Sequence, residues 1–416
     1  MKPILRVAML CSALFLAESA FAQDRLHPDL PLPELVAQAL DNHPAVEAAV
    51  ARVAAARAQA GMLAIGPHEV TVQGSYLRRS VNGEGGFNEF DTTVTRAFRL
   101  PGKANLDRKA GDFGIEAAQN RAEDVRHQTS LLLAGFWYDW MTASALTRND
   151  GETVANLERA LTAVKRRAAL RDASDLDVDQ AAAALALAQG QLAQSRATAA
   201  EARVKLAAQF PDLPLPVEAP DMVSPHDLPQ NFEELRALVI TRSHEIGAAR
   251  ADAERMSVTA QRARAEKMAD PSLGFRLFNE RGGAEKGLGL VASIPLGGRY
   301  RSRATDEALA MASSARLEQG VVEREVQVMA DADLSNARTR LIVWEQIREA
   351  RIRAESMSAR AGKGYALGAL DLADLLFAER QANDARRAEI GARADAGRAI
   401  VKLEIDSHTI WAPADE

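Results

Sequence analysis

Metal chemistry would need histidines at ligand spacing, and no two of the seven histidines fall at i, i+3 or i, i+4. Cys11 is the only cysteine, so neither a thiolate cluster nor a disulfide is available. Asp175-Leu176-Asp177-Val178-Asp179 opens like a calcium loop. It fails because Gln180 stands where the loop needs glycine and Ala186 where it needs a bidentate glutamate. Gly287-Leu288-Gly289-Leu290-Val291-Ala292 matches a dinucleotide fingerprint by letters, but it lies within an alternating strand pattern rather than between a strand and a helix. The one aromatic cluster, Phe136-Trp137-Tyr138-Asp139-Trp140, reads as helix packing. No nucleophile–base pair is visible, so the sequence reads as a non-enzyme with no cofactor and no fixed metal site.

The elements that carry these residues are unusual. Hydrophobic residues make up 47% of the 416 residues but aromatics only 5%, with 26% charged. Alanine mixed with Glu, Arg, Gln and Leu is the composition of long helices. The net charge of -6, with Lys and Arg spread along helices, excludes a nucleic-acid-binding protein. Lys2 and Arg6 precede an apolar run over 7–16, and Ala20-Phe21-Ala22 fits a signal-peptidase site. Residues 1–22 are therefore expected to be a cleaved signal peptide that takes Cys11 with it. Ala8-Met9-Leu10 is a poor lipobox. No later apolar stretch reaches the ~18 residues of a helical span, so helical spans are not expected. A membrane β-barrel stays open, because its strands barely register in hydropathy.

Along the chain the hydrophobic period switches twice from 3.6 to 2. A helix over about 31–64, broken at Asn42-His43-Pro44, gives way to a strand over 69–79. There Val70, Val72, Gly74 and Tyr76 share one face and Thr71, Gln73 and Ser75 the other. A Gly-rich turn leads to a second strand over 90–100, whose Arg96 breaks an otherwise uncharged face. A proline-free helix is expected from Lys103 to about Arg171, then a turn with an N-cap at 172–175 and a return helix to Phe210. The Pro-rich stretch 211–230 is a linker. The programme then repeats: helix to Met268, strands over 271–281 and 287–296, a long helix to Tyr365, a turn at 367–369 and a helix to about Asp406. The organisation is a first repeat over 23–210, the linker, a second repeat over 231–406 and a C-terminal tail over 407–416.

Each strand is long enough to cross an outer membrane at a tilt, and each has one apolar face. Val70, Val72, Tyr76, Leu273, Phe275, Leu277, Leu288 and Leu290 are the expected lipid-facing residues. Four strands cannot close a barrel, so a dimer or trimer must pool them. The rival is a periplasmic coiled-coil adaptor or scaffold without a barrel, which would not need paired amphipathic hairpins at corresponding points.

The doubled helix–hairpin–helix order resembles the TolC family of outer-membrane efflux proteins. So do the linker, the hairpin exits Phe98-Arg99-Leu100-Pro101-Gly102-Lys103 and Ile294-Pro295-Leu296-Gly297-Gly298-Arg299, and the two helix turns at 171–178 and 365–376. The Leu-Pro-Gly-Lys exit is most similar to the heavy-metal efflux branch. The resemblance implies a mainly α fold with a small β-barrel contribution. It implies a homotrimer whose twelve-stranded barrel sits on an α-helical periplasmic tunnel. The partners it implies are outer-membrane lipid, a periplasmic adaptor and an inner-membrane pump, with metal cations or drugs as cargo. It makes Arg171, Ser174, Leu176, Leu367, Gly368 and Leu370 the adaptor-docking tips, with Ser174 matched to Gly368. It places Asp374 at the periplasmic entrance, and Asp371 is expected to face elsewhere.

Overall fold

The computed structural model describes residues 27–412; the signal peptide and Cys11 lie outside them. The first helical stretch divides into α1 (Pro33–Asp41) and α2 (Pro44–Ile65). β1 (Val70–Val81) and β2 (Gly85–Ala97) follow, then α3 (Lys103–Ala169) and α4 (Asp175–Gln209). After the linker come α5 (Phe232–Thr241), α6 (His244–Ala265), β3 (Ser272–Glu280), β4 (Glu285–Ser293), α7 (Arg299–Ala366) and α8 (Leu372–Asp406). α3 and α7 run for 67 and 68 residues. Helices this long need lateral support along their length, which the smaller helices supply.

Four local expectations differ from the structure. The helix expected from Phe232 to Met268 is two helices parted at Arg242-Ser243, the counterpart of the break at Asn42-His43. β2 starts at Gly85 rather than 90 and β4 ends at Ser293 rather than 296. The turn-proximal residues pair (Val81 with Gly85, Glu280 with Glu285), but glycines carry no side chain to display a period. At the other end Phe98 still donates to the Pro271 carbonyl at 2.9 Å and Pro295 cannot donate at all, and Phe98, Ile294 and Leu296 fall outside the strands. Finally, α2 is long and apolar enough by composition to cross a membrane, contrary to the expectation of no helical span. Its alanines raise the average, although Glu47, Arg52 and Arg57 interrupt it.

The described chain forms two compact units, each drawing on both halves of the sequence. One comprises the chain up to Glu47, Val125–Ser243 and the chain from Val326; the other comprises Ala48–Asp124 and His244–Glu325. In the first, Leu133, Trp137, Tyr138 and Met141 of α3 are buried against Val36, Leu40, Phe210 and Val401. Trp137 meets Trp140 edge-on at 5.4 Å and donates its Nε1–H to the Asp29 carbonyl at 2.8 Å. The aromatic cluster is thus core. Linker residues Leu213 and Met222 and C-terminal Ile410 and Trp411 are buried on the same core. In the second unit the buried helix positions are mostly alanine, such as Ala117, Ala251 and Ala260. Small residues let backbones approach: a Cβ on Gly111 would lie 2.8 Å from that of Ala60.

The second unit also holds one antiparallel sheet in the order β1-β2-β3-β4. The two hairpins join through β2 and β3, which pair from Phe90 with Asn279 to Ala97 with Ser272. β1 and β4 are edges with one paired side each.

Candidate functional site

Register decides what the sheet presents. Residues directly opposite one another share a face. Val72, Val94, Phe275 and Leu290 form one row across all four strands, and Gly74, Thr92, Leu277 and Leu288 the next. Val70 and Leu273 lie in the row on one side, and Tyr76 and Phe90 in the row on the other. All eight expected lipid-facing residues therefore fall on one face, and each is at least half exposed; Leu290 is 83% exposed. A soluble sheet would bury such a face. Tyr76 keeps its hydroxyl bonded to Asn88 Oδ1 at 3.0 Å and its ring against Phe90. Arg96, which breaks the pattern, is the penultimate residue of β2 and donates Nε–H to the His68 carbonyl at 3.3 Å.

The opposite face carries Thr71, Gln73, Ser75, Thr93 and Thr95, with most of its charges paired. Arg276 binds Asp91, and Arg79 binds Glu89 at 2.7 Å. Leu77 and Phe87 are apolar exceptions on this face, and so is Phe278. Its ring lies over Gly287, where a Cβ would meet it at 2.3 Å, and Arg276 lies 5.7 Å from its centroid. Leu290 and Gly289 of the dinucleotide-like string alternate between these faces, which leaves no phosphate-binding loop.

The helix turns lie side by side in the first unit. Val164, Ala181, Ala361, Leu372 and Leu375 bury one another there, and the Arg167 guanidinium lies 5.1 Å from the centre of the Tyr365 ring. Ser174 caps α4 in a reciprocal box. Its hydroxyl accepts the Asp177 N–H at 3.1 Å, and Asp177 Oδ2 accepts the Ser174 N–H at 2.8 Å. Asp371 caps α8 by accepting the Asp374 N–H at 2.8 Å. The caps set the correspondence between turns: Ser174 matches Asp371, and Arg171 matches Gly368. Both members of the second pair are left-handed, at φ 60° and 75°. This corrects the matching of Ser174 to Gly368. Arg171 pays the Cβ penalty that Gly368 avoids. Arg171, Ser174, Leu176, Leu367, Gly368 and Leu370 are all exposed.

By the same correspondence Asp374 matches Asp177. The two bonds from Ser174 hold the Asp177 carboxyl below the usual range, whereas the exposed Asp374 carboxylate is not used in its own cap. Asp371 is the N-cap of α8, so its carboxylate is tied to the Asp374 backbone.

No family model matches the chain, and no curated protein matches it. Solved structures do. A membrane protein from Pseudomonas aeruginosa aligns over 90% of this chain and 92% of its own, at 18% identity and a TM-score of 0.74. The outer membrane protein VceC from Vibrio cholerae aligns over 92% and 96%, at 18% identity and 0.71. The MtrE outer membrane channel of Neisseria gonorrhoeae, in its open state, aligns over 90% and 88%, at 16% identity and 0.72.

The chain has the fold of outer-membrane channels.

Within that channel fold, sequence reasoning missed the charged knot where the sheet meets the helices. Lys103, the first residue of α3, is 1% exposed. Its Nζ donates to Glu266 Oε2 at 3.0 Å, the Met268 carbonyl at 2.6 Å and Asp270 Oδ1 at 2.7 Å. Asp270 also accepts the Leu100 N–H at 3.0 Å and faces His68 Nε2 at 2.9 Å. Burial pushes the Asp270 carboxyl up, but the Lys103 ammonium and the bonds from Leu100 and His68 outweigh it and hold it at about 2. Arg99 caps the end of α2 through the Leu63, Ala64 and Ile65 carbonyls and binds Asp107 at 2.9 Å. Arg262 and Arg301 complete the knot on Asp107 and Glu266 at 2.8 and 2.6 Å. The hairpin exits match as sequence strings, yet Arg299 is exposed and Arg301 makes the contact. The one available signal was a lysine fixed at a Pro-Gly exit ahead of acids at Glu266 and Asp270.

Proposed function

We propose that the chain is one subunit of a homotrimeric outer-membrane channel whose twelve pooled strands form a single barrel. The channel exports small substrates, metal cations or drugs, together with a periplasmic adaptor and an inner-membrane pump. One observation carries this reading: a four-stranded sheet with an exposed apolar face and two unpaired edges. In hydrocarbon every edge must be paired, and three copies joined β4 to β1 leave none. The opposite face, hydroxylated and charged, suits a water-filled lumen. An adaptor or scaffold without a barrel has no use for the exposed apolar rows.

Two measurements test the reading. The mature chain is expected to fractionate with outer membranes and to have the mass of three chains in mild detergent. A monomer there, or a chain recovered in solution without detergent, refutes it.

The turns are the adaptor-docking tips in this reading, through Arg171, Ser174, Leu176, Leu367, Gly368 and Leu370, and Asp374 lies at the periplasmic entrance. Three Asp374 carboxylates around a threefold axis would favour cations at a narrow mouth. Asp374→Asn is expected to lower cation selectivity in planar-bilayer recordings and to weaken block by multivalent cations. Because Asp371 caps α8 through the Asp374 backbone N–H, its substitution would disturb the helix start, so the control is Asp175→Asn, an exposed acid on the other turn. Equal effects of the two substitutions, or none from either, would remove Asp374 from the entrance.

A further inference from the structure

The two ends of the sheet differ in charge. At the turn end, segments 78–89 and 279–286 hold four basic and four acidic residues. At the helix end, segments 63–69, 96–109, 262–270 and 295–309 hold eleven Lys and Arg against six Asp and Glu, in a chain whose net charge is -6. The knot consumes part of this excess through Lys103, Arg99, Arg262 and Arg301. Arg108, Lys109, Arg264, Lys267 and Arg299 are exposed and form no ion pair among the described residues. They are held at one level. Arg262–Asp107 ties the end of α6 to the start of α3, and Arg301 ties the start of α7 to Glu266. The Lys267 carbonyl lies so close to Gly297 that a Cβ there would sit 2.7 Å from it.

On the sheet side of these cations the apolar surface continues. Ile294 and Leu296 extend the β4 alternation beyond Leu290 and are 67% and 93% exposed, and Tyr300 beside them is 85% exposed. An apolar band edged by an aromatic ring and uncompensated cations is the surface that a lipid interface with negative headgroups complements.

We propose that this cationic collar binds the anionic headgroups of phospholipids in the leaflet at the helix end of the sheet. The inference rests on the membrane reading above and names the lipid chemistry of that leaflet. Charge complementarity and continuity with the apolar face select this occupant over a protein partner, which would have no reason to follow the edge of the band.

The test uses the full mature chain in non-ionic detergent, titrated with phosphatidylglycerol or phosphatidylcholine of identical acyl chains and read by native mass spectrometry. Phosphatidylglycerol is expected to be retained at roughly tenfold lower concentration than phosphatidylcholine. Lys267→Glu with Arg299→Glu abolishes that preference, whereas Arg78→Glu with Lys286→Glu at the turn end preserves it. Ammonium acetate raised to high ionic strength also abolishes it in the unmodified chain, which keeps the test valid if the collar variant fails to assemble. Equal retention of both lipids, or a preference that survives the collar variant or high salt, overturns the proposal. A chain that stays dispersed without detergent removes the membrane reading. One that needs detergent yet takes both lipids alike removes the collar alone.

Discussion

Lys103→Met is expected to destabilise the protein by about 3–5 kcal/mol, the range for removing one partner of a buried ion pair. Lys103 is 1% exposed, and the Asp270 side chain it serves is 6% exposed. Methionine keeps the length and the apolar stem but removes the cation from the Asp270 carboxylate and the donor from the Met268 carbonyl. The exposed Lys109 is the comparison, where a change to methionine falls within ±0.5 kcal/mol. Denaturant unfolding in detergent, followed by far-UV circular dichroism, measures both. Equal stability of the two variants would show that the knot is not a fastening point.

The same knot sets an acid limit. In the folded chain the Asp270 carboxyl sits at about 2, below the ~4 of an unfolded aspartate. A depressed carboxylate contributes stability that is full above the unfolded value and is lost as pH falls toward the folded one. The contribution of Asp270 therefore drains between about pH 4 and pH 2. Without Lys103 its carboxyl rises, the difference from the unfolded value shrinks, and the variant loses less on acidification through that window than the unmodified chain.

Phe275→Arg is expected to cost about 2–4 kcal/mol in a lipid-embedded barrel, the range for a cation facing hydrocarbon near the midplane. Phe275 sits in the row with Val72, Val94 and Leu290 and is 58% exposed. The comparison must lie at the same depth. Ser293 faces the other way but ends β4, where a charge costs little on either face, whereas Thr71 and Gln73 both flank Val72 on the opposite face, with Gln73 further from the strand end. Gln73 is the better site. It lies on the opposite face, one residue along β1 from Val72 and two strands from Arg276. Gln73→Arg is expected to fold into phosphatidylcholine vesicles as the unmodified chain does, while Phe275→Arg loses folding yield. Equal yields would mean that the two faces meet the same solvent.

Much of this architecture is written in the local chain. Helix and strand have different periods, so the switch at Glu69–Arg79 and its return at Ser272–Glu280 place both hairpins. Prolines between 211 and 229 stop α4, and the capping turn over 172–175 marks the start of that helix. The expected apolar face survived because alternation is a property of each strand alone. What local patterns lack is long-range pairing. Only the tertiary structure joins β2 to β3 across more than 170 residues and so turns two hairpins into one sheet with two bare edges. It alone buries Lys103, since a lysine at the start of a helix reads as solvated until Glu266, Met268 and Asp270 arrive from a distant segment. It also rematched the turns. Letters aligned Ser174 with Gly368, but backbone angles and caps pair Gly368 with Arg171, because a left-handed residue is defined by its φ and not by its side chain. Period and capping are short-range steric rules that a sequence states directly; pairing, burial and ion pairing depend on which distant segments the fold brings together.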